Sequence, residues 1–319
     1  MPGTHRMPGQ RMLRTGLPPC PESPTLHARI DPRTMPRMSG SPFSSLTRRL
    51  AWPARASAQT PLGAALLVML LVASPARADD IPPQFMAQYE ATRDYLQLLQ
   101  QADADNAPEQ LDSPRAMQLL AAVTNKTDVL APDYATADLG LLTNACQYGV
   151  TLSTRLMQFG MGAMPAAVLL HSGEQARQGN RNAERFQAQL GLLLPYLLQC
   201  GARMQPLVDT WLTVATPEEL AGLGPGGTDT LRRNAQRQYL EMLEVMRAQP
   251  AGSTLKRTLV RALAETAAPY AQMLQLEQRQ PVRDALKDAL EQVDPSDVPR
   301  LQQAIAGFSS DRCGTLCRS

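Results

Sequence analysis

The chain is 319 residues long, 44% hydrophobic and 19% charged, with 4% aromatic residues, 27 prolines and a formal net charge of +2. Three histidines leave little material for imidazole chemistry, and so few aromatics cannot line a sugar-binding cleft. The near-neutral balance also lacks the basic footprint of a nucleic-acid or anionic-lipid binder.

Residues 1–40 are rich in Pro, Arg, Ser and Gly and have no apolar period, so they read as a disordered or untranslated extension, with Met35 or Met38 as an alternative start. Residues 41–78 read as a secretory signal region. Arg48, Arg49 and Arg55 form its basic part, and Leu62 to Ala73 is an unbroken run of small or apolar residues. As a helix that run is about 18 Å long, short of the ~30 Å hydrocarbon core. Ala76-Arg77-Ala78 supplies small residues at the positions a signal peptidase reads, so cleavage is expected after Ala78, with no stable membrane insertion afterwards. Removing residues 1–78 takes away 10 Arg and 2 acidic residues and leaves 21 basic against 27 acidic side chains, a net of −6. The expected compartment is the bacterial periplasm. Four cysteines remain there, Cys146, Cys200, Cys313 and Cys317, and their spacing suggests Cys146–Cys200 and Cys313–Cys317, with interleaved pairings as the competitor.

Residues 79–319 carry the helical period almost throughout. Phe85, Tyr89, Thr92, Leu96 and Leu99 predict a first helix over about 83–104. Ser113-Pro114 is an N-cap and first-turn proline for a helix with Met117, Leu120 and Val123. Thr136 is expected to cap a longer helix through Leu139, Leu142, Cys146, Val150 and Met157, ending at the breaker Gly160 to Pro165. Val168 to His171 forms a further apolar piece. The polar stretch Ser172 to Asn182 reads as a loop or an exposed helix end. A helix over about 183–214 contains Pro195 and Pro206 and is expected to bend twice or split. Thr216-Pro217-Glu218-Glu219 opens a short helix, and 224–227 (Gly-Pro-Gly-Gly) is the candidate hinge. Beyond it come helices marked by Leu231 to Met246, by Leu255 to Leu274 with a kink at Pro269, and by Val282 to Leu290. Asp294-Pro295 then starts a last one with Val298, Leu301 and Ile305. The fold class is therefore all-α, a multi-helix bundle or helical-hairpin array of about eight to ten helices stapled by disulfides.

Candidate chemistry is sparse. His171 is the one histidine after residue 78, which excludes a His-rich zinc site and leaves a hydrolase a single drawable base, with no G-x-S-x-G nucleophile turn. Met157, Met161 and Met164 place three soft thioethers at helical spacing, with His171 as a fourth donor, so a Cu(I) site is the alternative reading and copper the alternative cofactor. The same methionines also suit a helical core. Glu218/Glu219 and Asp284/Asp288 read as first-turn and solvated-face charges rather than as an acid/base pair. Asn125-Lys126-Thr127 matches a glycosylation pattern by chance.

The expected function is accordingly that of an exported, non-enzymatic binding or interaction protein. An inhibitor or immunity-like factor acting on another envelope or periplasmic protein is one form, without nucleic acid and without a cofactor. A periplasmic Cu(I)-binding protein is the alternative, and an unrecognised hydrolase the second.

Overall fold

In a computed structural model, the described residues are 82–130, 133–160, 172–224 and 226–319. The signal region, the cleavage site at Ala78, and Met161, Met164 and His171 lie outside them. Among the described residues the chain forms helices and no strand.

The first helix, α1 (Pro83–Gln101), starts on a first-turn proline, where the missing N–H costs nothing. Its buried side is Phe85, Gln88, Thr92, Tyr95 and Leu99, one position off the expected seam through Tyr89 and Leu96. Gln88 explains the offset. Its amide nitrogen lies 2.7 Å from the carbonyl of Val123, 3.1 Å from that of Ala145 and 2.8 Å from the Tyr196 hydroxyl, so a polar residue occupies the core. α2 (Ala107–Leu111) and α3 (Pro114–Val123) follow, with Ser113 Oγ capping α3 by accepting from the Ala116 amide at 3.4 Å. α4 (Lys126–Val129) is one turn long, capped by Asn125. Thr136 does not cap the next helix. Residues Thr136–Asp138 form a 3₁₀ turn whose Asp138 carboxylate accepts from the Ala135 amide, and α5 (Leu139–Met157) begins after it.

α6 (Ser172–Arg185) decides between the two readings of the polar stretch, which is helical along its length rather than a loop. It is anchored by a polar residue: Asn182 Nδ2 donates to the carbonyls of Met157 at 2.8 Å and Phe159 at 2.9 Å. α7 (Gln187–Val214) runs as one helix through Pro195 and Pro206, so of the expected bend or split the split does not occur. Each proline removes one intrahelical bond, and the helices packed against α7 compensate for that loss. α8 (Pro217–Ala221) carries a reciprocal capping box between Thr216 and Glu219. In the candidate hinge, Gly224, Gly226 and Gly227 have φ of 75°, 89° and 41°, a left-handed path that side chains disfavour.

α9 (Gly227–Ala248), α10 (Thr254–Met273), α11 (Leu276–Ala289), α12 (Val298–Phe308) and α13 (Thr315–Arg318) complete the chain. Pro269 lies inside α10 and Pro281 inside α11 without ending either helix. Asp294-Pro295 makes a turn rather than the start of α12, with the Asp297 amide bonded to the Asp294 carbonyl at 2.8 Å. Nine of these helices have ten or more residues.

The centre of the packing is α7, which lies chiefly against α10 and α5, while α10 packs in turn against α12. Leu190, Leu193, Leu194, Tyr196 and Leu198 on α7 are fully buried, as are Leu142 and Leu152 on α5 and Leu259 and Leu263 on α10. Gly149 permits the close approach of α5 and α7, since a Cβ there would stand 3.0 Å from both Tyr196 and Leu197. One turn earlier Cys146 bonds Cys200 across the same seam, with Cα atoms 5.8 Å apart and both residues at 0% exposure. No helix of the described residues is long and apolar enough to cross a membrane.

Candidate functional site

At 100° per residue, Gln199, Ala202 and Arg203 fall on one face of α7, and Gly201, Met204, Gln205 and Val208 on nearly the opposite one. Each face borders a recess. The first is an open cleft of about 460 Å³ between α4, α7 and α10, lined by Lys126, Leu130, Gln199, Ala202, Arg203, Glu265 and Thr266. A local cap fixes its near wall: Asn125 accepts from the Asp128 amide at 3.1 Å and donates to the Asp128 carboxylate at 2.6 Å, which sets the turn bearing Lys126. Tyr134, through its hydroxyl to the Val129 carbonyl, ties the following segment to that turn.

The cleft mixes charges. Lys126 and Arg203 are cations, Glu265 is a carboxylate, and Gln199 Nε2 donates to Glu265 Oε2 at 3.4 Å. Arg203 also approaches Asp133 at 3.9 Å on the rim. Lys126 is exposed as a residue, yet burial of its ammonium end lowers its pKa from the ordinary lysine value, and Glu265 partly offsets that. Such a group gains from a ligand that brings an acceptor. The lining contains no Ser, Cys or His, and its one hydroxyl, Thr266 Oγ1, donates to the Ala262 carbonyl at 2.7 Å, so what the cleft presents is hydrogen-bonding capacity and charge of both signs.

The C-terminal segment forms one wall of the second recess. Cys313 and Cys317 close a ring, with Cα atoms 5.5 Å apart. Leu316, 1% exposed, lines a small recess together with Met204, Val208, Leu231 and Met273 and the polar Gln205, Asn234 and Gln238. The ring is held mainly through its backbone. Asp209 Oδ1 accepts from the Leu316 amide at 2.8 Å, Arg232 donates to the Leu316 carbonyl at 2.9 Å, and the Gln272 carbonyl accepts from the Gly314 amide at 3.0 Å. Gly314 is required there, because a Cβ would meet Asp209 Oδ2 at 2.1 Å. Arg279, at 0% exposure, donates to the carbonyls of Leu274 at 2.9 Å, Arg312 at 2.7 Å and Ser310, and reaches Cys317 Sγ at 3.7 Å.

The residues singled out in the sequence distribute as follows. Cys146 pairs with Cys200 and Cys313 with Cys317. Met157 ends α5, half-buried against the core, while the other three members of its candidate copper set fall outside the described residues. Among the described residues no group of three or more His, Cys, Asp or Glu could hold a metal ion. Glu218 and Glu219 occupy the first turn of α8, and Asp284 is an exposed partner of Lys287 at 3.6 Å. Sequence reasoning missed the cleft: Lys126, Gln199, Arg203 and Glu265 come from three helices and share no local pattern. It also missed Glu241 on α9, whose Oε2 is buried without a hydrogen-bond partner and whose pKa burial pushes up to about 7.

No protein-family model, curated protein or solved structure matches the chain.

Proposed function

We propose that this chain is an exported helical binding protein that works in the periplasm and holds another envelope protein through the cleft between α4, α7 and α10. The observation that carries this reading is the cleft lining itself. Lys126, Arg203, Glu265 and Gln199 offer donors and acceptors of both signs on helices braced by a buried disulfide, the preorganised arrangement that recognition favours. Two disulfides support an oxidising compartment. An inhibitor or immunity-like factor is one form of such a protein. Charges at the cleft set specificity and association rate more than bulk affinity.

The test is co-isolation from envelope extracts at two ionic strengths. A specific partner is expected to be retained by the wild-type chain at low salt, weakened at high salt, and lost from the Lys126→Glu/Arg203→Glu variant at unchanged helicity. Recovery of the same proteins by wild type and variant would reject the cleft as the binding surface.

A further inference from the structure

We infer that Cys313–Cys317 is a thiol–disulfide exchange site, opened by an external dithiol in one direction: attack at Cys313, departure of Cys317. The two disulfides of this chain have opposite surroundings. Cys146 and Cys200 are both at 0% exposure inside the α5–α7 seam, where an attacking thiolate cannot arrive. Cys313 is partly exposed, whereas Cys317 is buried at 5% exposure with its Sγ 3.7 Å from the guanidinium of Arg279. A neighbouring cation stabilises a thiolate, and a better-stabilised leaving thiolate departs faster. Access and leaving-group stabilisation thus sit on different sulfurs of one bond, which gives the exchange its direction.

The other contacts of Arg279 strengthen the point. Its remaining donors meet carbonyls of Leu274, Ser310 and Arg312, so among the described residues no carboxylate bonds the buried cation; Asp311 raises its pKa only through space, against burial and Arg283. A thiolate at Cys317 would be the first anion in direct contact with it. In the reaction, a thiolate of the dithiol bonds to Cys313 Sγ as the Cys313–Cys317 bond breaks, and the electron pair leaves on Cys317. The second thiol of the reagent gives its proton to solvent and displaces Cys313 from the mixed disulfide, and Cys313 takes up a proton. The dithiol loses two electrons to form its own disulfide, and the protein gains them. Opening the ring removes one of the constraints that hold Leu316 beside Met204, Val208, Leu231 and Met273, leaving the backbone bonds to Asp209 and Arg232.

The experiment treats the oxidised, folded chain with dithiothreitol without denaturant, quenches with N-ethylmaleimide at intervals, and locates the label by peptide mass spectrometry. Cys313 and Cys317 are expected to label at least ~10-fold faster than Cys146 and Cys200. A parallel glutathione reaction, quenched early, is expected to place glutathione on Cys313 and maleimide on Cys317. Arg279→Gln is expected to slow ring opening severalfold without accelerating the inner pair. Should that variant fail to fold, the glutathione position still decides. Equal rates for both disulfides, or glutathione on Cys317, would overturn the inference.

Discussion

The two recesses flanking α7 are built differently. The recess on the Met204/Val208 face is walled on one side by the chain's own C-terminal ring, which is held there by backbone bonds and by buried Leu316. The cleft on the Gln199/Arg203 face is polar, mixed in charge and open. Backbone-directed bonds fit one path of one segment, so the ring is latched in place. Side-chain charges at an open mouth discriminate among partners, which is the ground for the proposal that the cleft takes a second protein. The disulfides divide in the same way, one bracing α7 against α5 inside the core and the other closing the C-terminal ring.

The largest expected effect separates the disulfides. Cys146–Cys200 closes a loop of sequence separation 54 and Cys313–Cys317 one of 4. Loop-closure entropy gives about 4 kcal/mol for the first and about 2 kcal/mol for the second. Urea unfolding of the Cys146→Ala/Cys200→Ala and Cys313→Ala/Cys317→Ala variants should reproduce that order. Equal losses would erase the distinction between brace and latch.

Next comes Gly314→Ala, which forces a methyl into the Asp209 carboxylate. A cost of ~1–3 kcal/mol is expected, with faster hydrogen exchange at the Leu316 amide while α5 and α7 stay protected. Unchanged exchange at Leu316 would mean that the clamp does not hold the ring.

A smaller effect comes from Glu241, outside both recesses. Its pKa in the folded protein, about 7, lies above its ordinary value, so the folded state binds the proton more tightly than the unfolded one. Its contribution is therefore present below about pH 4.5 and declines as pH rises to about 7. Melting temperature should fall across that window in the wild type and less in Glu241→Gln. A parallel pH profile in the two proteins would contradict the assignment. The smallest stability change, within about 0.5 kcal/mol, is expected for Lys126→Glu/Arg203→Glu, since both side chains stand at a solvent-facing mouth. Thermal melting checks it, and a larger loss would make the cleft charges structural.

Much of the fold was legible because helix signals are local. Ser113 and the Thr216/Glu219 box stop and start helices where their side chains reach backbone amides, and the cysteine spacing pointed to the observed pairs. Misreadings arose where tertiary contacts override local preference. Gln88 is polar yet buried, because three acceptors in α3, α5 and α7 surround its amide. The stretch from Ser172 reads by polarity as a loop or an exposed helix end, and contacts through Asn182 settle it as a helix. Pro195 and Pro206 look like breaks, but packing carries α7 through both. The cleft was illegible for a different reason: Lys126, Arg203 and Glu265 are far apart in sequence, and only the packing of α4, α7 and α10 brings them to one mouth.

Site-specific photo-crosslinking in the bacterial envelope tests the central claim most directly. A photoreactive residue replaces Ala202 within the cleft in one protein and exposed Asp288 on α11 in another. The account predicts one dominant protein adduct from position 202, abolished by Lys126→Glu/Arg203→Glu and absent from position 288. No adduct at 202, or the same adducts from both positions, would contradict it.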